Sequence, residues 1–216
     1  MQRNMGWLEG LKRIFRAAAL VFLVTFASGA HSASKTILVL GDSLSAEYGL
    51  ARGTGWVSLL EQRLKAEDIA AIVINASITG ETTSGGKSRL GTLLAKHHPD
   101  VLVIELGGND GLRGLSLRAS EDNFRSMVNA AKKSRAKVLL VGMQIPPNYG
   151  RDYTERFSAL YPKLAKENRS ALVPFLLTGV ADRPELFQSD RIHPNAQAHP
   201  IMLDNVWTHL KPLLIK

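Results

Sequence analysis

The sequence predicts an α/β domain of three layers, with helices on both faces of a five-stranded parallel sheet. Five short runs, TILVL (36–40), AIVIN (71–75), VLVIEL (101–106), KVLLVG (137–142) and ALVPF (171–175), are near-continuous Val, Ile and Leu rather than alternating. Strands buried on both faces read this way. Stretches with apolar residues at helical spacing separate the runs, and such an alternation implies right-handed crossovers with helices covering both faces.

The elements follow in order. After TILVL, the segment 55–67 repeats apolar residues at Trp56, Leu59, Leu60 and Leu64, and the segment 88–98 does so at Leu90, Leu93 and Leu94. Residues 120–134 place Phe124, Met127, Val128 and Ala131 on one helical face, and 155–169 do the same with Phe157, Leu160 and Leu164. Each set follows the spacing of an amphipathic helix packed on a sheet. A last helix is expected from about Asn195, packing Ile201, Leu203 and Trp207 inward, with Pro200 kinking or dividing it near its start.

The first 33 residues differ in kind. Arg3, Lys12, Arg13 and Arg16 precede an apolar run, Ala17–Ala27, and small residues follow in SGAHSAS. A basic segment, a short apolar stretch and then small residues form the pattern of a secretory signal peptide, and the competing reading is an uncleaved membrane anchor. Cleavage after Ala30, Ser32 or Ala33 stays open: the first puts Ser28 at −3, the second Ala30 and the third the bulkier His31. The expected organisation is a leader over 1–33 and one catalytic-sized domain over 34–216, located in the periplasm or secreted. With no cysteine in the chain, a lipid-modified anchor and disulfides are both excluded. A domain of about 180 residues must then rely on its core alone, burying roughly 70% of its unfolded surface.

Removing Arg3, Lys12, Arg13, Arg16 and Glu9 lowers the net charge from +8 to +5. A mildly basic surface suits transient contact with anionic lipid headgroups or anionic substrates. The basic residues are scattered, without the clustered arginines and interleaved aromatics of a nucleic-acid groove. No obligate protein partner is evident.

In a doubly wound sheet, ligands sit beyond the carboxyl ends of the strands, so chemistry is sought just after the apolar runs. After the first comes Gly41-Asp42-Ser43. Gly41 permits a tight turn, and Ser43 is expected to start the next helix, where a free N–H favours developing negative charge. Taken alone, this is equally an ordinary capping turn. Asp42 adjoins Ser43 too closely to serve as its base and is expected to accept backbone hydrogen bonds. Ser45 is a second hydroxyl, expected to bond to the backbone. After the second run, Gly80 in NASITGETTSGG can bring a backbone N–H near a ligand because no Cβ intervenes. After the third, Asn109 in GGNDG offers an uncharged amide donor. In SDRIHPN, Asp190 stands three residues before His193, a spacing that lets a carboxylate orient an imidazole, and Pro194 is expected to open the last helix. Asp190 and His193 could instead be a surface ion pair or half a metal site. The other histidines (His31, His97, His98, His199, His209) lack ligand spacing, so neither a metal nor a cofactor is expected. His97 and His98, before Pro99, suit a helix end.

Ser43, Gly80, Asn109 and His193, in that order and each at the end of a strand or before the last helix, resemble the SGNH (GDSL) hydrolase superfamily. The matching blocks are GDSLSAEYGL, NASITGETTSGG, ELGGNDGLRG, QIPPNYG and DRIHPN, which span the chain after its leader. Within the superfamily the sequence is similar to the periplasmic branch of acyl-CoA thioesterase I, protease I and lysophospholipase, often called arylesterases. Arg191 stands where glycine is common in that branch, which alters the rim of the site and leaves the Asp–His pair intact.

The resemblance implies a flavodoxin-like sheet of order 2-1-3-4-5, catalytic residues Ser43, Asp190 and His193, and an oxyanion hole of the Ser43 N–H, the Gly80 N–H and the Asn109 amide. It also implies an acyl groove walled by Ile145, Pro146 and Tyr149 of QIPPNYG, and a segment Ile78–Gly86 able to fold over the acyl chain. The activity implied is hydrolysis of carboxylic esters and thioesters, including aryl and alkyl esters, acyl-CoA and lysophospholipids, through an acyl-enzyme on Ser43. A carbohydrate O-deacetylase acting on envelope polysaccharide is the alternative on the same fold. A nucleotide-binding module is the alternative of another class, disfavoured because both G-x-G-x-x-G and the phosphate loop G-x-x-x-x-G-K-[ST] are missing.

Overall fold

The computed structural model describes residues 34–215, so the expected leader and its cleavage site lie outside the described residues. The element order is β1 (Lys35–Gly41), α1 (Trp56–Ala66), β2 (Ala71–Asn75), α2 (Thr83–His97), β3 (Val101–Glu105), α3 (Gly108–Leu112), α4 (Leu117–Lys133), β4 (Lys137–Val141), α5 (Arg151–Asn168), β5 (Ala171–Val173) and α6 (His199–Leu214). All strand pairs are parallel and the sheet order is β2-β1-β3-β4-β5. Register is fixed by pairs such as Ile37↔Val101 and Val101↔Lys137.

The order reverses at β1, so the chain leaves β1 in one direction and returns past it to β3. Right-handed crossovers then place α1 on one face of the sheet and the helices that follow β2, β3 and β4 on the other. Helix α1 packs against α6, while α2, α4 and α5 pack in series. The central strands supply the core: Ile37–Leu40 and Val101–Ile104 are fully buried. β2 is different. As an edge strand it leaves Ile72 exposed and its other apolar residues only partly buried. β5 stops at Val173, two residues before its predicted end, because Pro174 has no N–H for the ladder.

Two helices begin elsewhere than the sequence suggests. Helix α2 starts at Thr83, capped by the Thr82 side chain accepting from the Gly85 N–H, so the last four residues of NASITGETTSGG are helical. Gly86 serves packing here: a Cβ would lie 2.4 Å from Leu106 Cδ1. Helix α6 starts at His199, and Pro200, at its first turn, needs no hydrogen-bonding N–H and does not kink it. Pro194 does not open the helix; it pairs with Phe187 in an isolated antiparallel bridge. The end of α2 behaves as read: His98 is its left-handed cap and donates its N–H to Leu94 O.

Candidate active site

The segment after β1 carries Ser43, and it is a series of turns rather than a helix. The Ala46 N–H donates to Asp42 O and the Tyr48 N–H to Ser43 O, after which the chain runs on to α1. Helix-dipole stabilisation at Ser43, expected from the sequence, is therefore absent. Gly41 serves close packing: a Cβ there would approach Ser45 and Ser77 to 2.8 Å. The Ser43 N–H has no partner among the described residues, and the side chain stands at the mouth of a cleft.

The loop before α6 reaches Ser43 from the far end of the chain. Asp190 Oδ1 accepts the N–H groups of Ile192 and His193, and Asp190 Oδ2 lies 2.7 Å from His193 Nδ1. These hydrogen bonds, led by the His193 N–H, hold the Asp190 carboxyl down at about 2. A carboxylate there accepts a hydrogen bond from the Nδ1–H, which keeps the proton on Nδ1 and leaves Nε2 as an acceptor. His193 Nε2 lies 3.0 Å from Ser43 Oγ. Two contacts fix this loop against the Ser43 turn. The Gln188 amide donates to Tyr48 O and Pro194 O, and the Tyr48 ring sits 4.4 Å from the imidazole, centroid to centroid. Arg191 adopts φ +58°, a conformation that favours glycine, and its side chain lies at the cleft rim.

Asn109 is in α3, immediately beyond β3, facing β1 across the reversal of strand order. Its Nδ2 donates to Asp42 Oδ2 (3.1 Å) and to Glu81 O (3.0 Å). Gly80 has φ +77°, and its segment is anchored by the Ile78 N–H donating to Gly41 O and by Arg113 Nη2 donating to Gly80 O. Its N–H has no partner among the described residues. Gly80 lies beside this cluster but does not itself line the cleft.

The cleft holds about 520 Å³ and is mostly apolar, walled by Met143, Ile145, Pro146, Phe175, Leu177 and Ile192 beside Ser43 and His193. Tyr149 is not in its wall. It ends a 3₁₀ turn, Pro147–Tyr149, and its hydroxyl donates to the backbone carbonyl of Leu112, which does line the cleft.

Asp42 accepts the Leu44 N–H and the Asn109 amide, and burial pushes its carboxyl up to about 6. Ser45 does not bond to the backbone as expected. Its hydroxyl donates to Glu105 Oε2 and accepts from Trp56 Nε1. Sequence reasoning passed over Glu105, although one acidic residue ending an otherwise apolar strand was a signal available to it.

A model of the GDSL-like lipase/acylhydrolase family matches residues 39–201. Esterase TesA of Pseudomonas aeruginosa is 50% identical over 184 residues, covering 85% of this chain and 92% of that protein. Thioesterase 1/protease 1/lysophospholipase L1 of Escherichia coli is 42% identical over 192 residues, 89% of each chain. The crystal structure of the psychrotrophic esterase EstA from Pseudoalteromonas sp., inhibited by monoethylphosphonate, superposes with a TM-score of 0.81 at 38% identity, covering 85% of this chain and all of that one. With half or more of its length matched by the family model and its sheet ordered 2-1-3-4-5, this chain belongs to the GDSL-like lipase/acylhydrolase family.

Proposed function

We propose that Ser43 is the nucleophile of a carboxylic ester and thioester hydrolase, with His193 its general base and Asp190 the group that orients the imidazole and stabilises its protonated form. The observation that carries this is the continuous contact Ser43 Oγ–His193 Nε2–Nδ1–Asp190 Oδ2, at 3.0 and 2.7 Å, opening on an apolar cleft. His193 takes the hydroxyl proton as Ser43 attacks the acyl carbonyl, then gives it to the leaving alcohol or thiol. Water attacks the acyl-enzyme by the same route in reverse. The N–H groups of Ser43 and Gly80 and the Asn109 amide would receive the oxyanion. Both Asn109 amide hydrogens already have protein acceptors, so the oxyanion must share or replace the Glu81 carbonyl. Ile145 and Pro146 wall the space for the acyl chain. The names of the relatives support ester and thioester substrates, and the name lysophospholipase together with the apolar wall supports acyl chains longer than acetyl.

The deciding experiment is hydrolysis of a panel of esters, acyl thioesters and lysophospholipids by wild type and Ser43→Ala, with organophosphonate labelling followed by intact mass. Wild type should hydrolyse the panel and take one label, and Ser43→Ala should do neither. A labelled Ser43→Ala protein would overturn the assignment. The basic and apolar character of residues 1–33 supports export. Mature protein recovered from the periplasm should begin after Ala30, Ser32 or Ala33.

A further inference from the structure

Beneath the Ser43 turn lies a second carboxyl group with no place in the mechanism above. Glu105 ends β3 opposite Gly41 of β1 and is fully buried. Its Oε2 accepts the Ser45 hydroxyl at 2.7 Å and the Asp42 N–H at 3.3 Å, while Oε1 has no donor. Glu105 lies against Asp42, whose backbone N–H it accepts, and neither carboxyl has a cation paired with it among the described residues. The titratable groups facing the pair are Tyr161 of α5, which in turn faces Asp110 of α3, and His193 of the loop before α6. Tyr161 donates its hydroxyl to Leu106 O and so neutralises neither carboxyl.

Two ionised carboxylates cannot share such a site, because burial disfavours each charge and the two like charges repel. Burial and the Asp42 charge both push Glu105 well up. Only an acid O–H can join two carboxyls. Since Oε2 already accepts twice, Oε1 is left to carry the proton.

We propose that Glu105 is a positioning residue that works as a neutral acid, donating its proton to Asp42 so that one carboxyl pair holds the Ser43 turn and the Asn109 amide together. Asp42 then spends one oxygen on the Leu44 N–H and the other on Asn109, and Glu105 holds the turn from below through Ser45 and the Asp42 backbone. This rests on Ser43 being the nucleophile.

The test uses the wild-type enzyme, Glu105→Gln and Glu105→Ala. Glutamine keeps a neutral donor and acceptor in the same volume. Glu105→Ala should lower kcat for a p-nitrophenyl ester by about ten- to a hundredfold with KM changed far less, as a displaced reacting group does. Glu105→Gln should recover most of that loss. The wild-type minus Glu105→Gln infrared difference spectrum at pH 7 should show a protonated carboxylic acid carbonyl band. A carboxylate band in its place overturns the proposal, as does a Glu105→Gln enzyme as impaired as Glu105→Ala. If Glu105→Ala does not fold, the infrared band and the kcat of Glu105→Gln decide alone. Phosphonate on Ser43 of wild type separates the two ideas: without it the nucleophile assignment fails, and with it only the role of Glu105 is at stake.

Discussion

At the single-residue scale, Ser43, Asp190 and His193 could be picked out from the sequence because each is a polar residue at a strand end or in a short motif with meaningful spacing. Asn109 was equally visible, but its hydrogen bonds were not. Its amide donates to Asp42 and to the Glu81 carbonyl, so it ties two loops together besides lining the cleft with Ser43. Asn109→Ala should leave a folded enzyme with kcat lowered by on the order of 10²–10³, about 3–4 kcal/mol of transition-state stabilisation. A kcat equal to wild type in that variant would remove Asn109 from the oxyanion site. Glu105 stayed unseen because a charge at the end of an apolar run reads as a strand terminus facing water. Its complete burial is a property of its neighbours.

Secondary-structure elements were legible in type and less so in extent. All five strands lie where the apolar runs stand, since β-branched residues in unbroken runs suit a strand buried on both faces. The start of α2 was missed because TTSGG reads as loop, yet Gly85 and Gly86 are helical and α2 presses on Leu106 there. Gly86→Ala should therefore cost about 1–3 kcal/mol through overpacking, measured as a lower midpoint in urea, despite the better helix propensity of alanine. At the start of α6, His199 Nδ1 accepts the Trp56 N–H that opens α1, and burial holds this imidazole down at about 4. Its folded pKa lies below the unfolded value near 6.5, so the unfolded chain binds more protons between the two. Stability should fall as pH drops from about 6.5 to 4, by up to about 3 kcal/mol, and level off below. His199→Gln, which keeps an acceptor, should flatten that acid limb in chemical denaturation series. An unchanged limb would place its cause elsewhere.

Across the whole molecule, the site joins residues 150 positions apart in sequence, Ser43 and His193, and the cleft wall draws on the ends of β4 and β5 as well. Ala181 is an exposed residue of that wall. Ala181→Trp should lower kcat/KM for long-chain p-nitrophenyl esters by about tenfold or more, and for acetate far less, because a filled pocket discriminates by methylene at about 1–3 kcal/mol each. Equal loss for all chain lengths would put the acyl chain elsewhere. The sequence by itself determined the α/β class, the order of the strands along the chain and the identities of the polar residues that end them, since hydrophobic periodicity and short motifs are local. The tertiary structure alone decided that Ser43 sits on a turn, that Tyr149 stays out of the cleft wall and that Glu105 is buried against Asp42. Each of these depends on which distant backbone packs alongside, and burial, unlike periodicity, is set by partners far away in the chain.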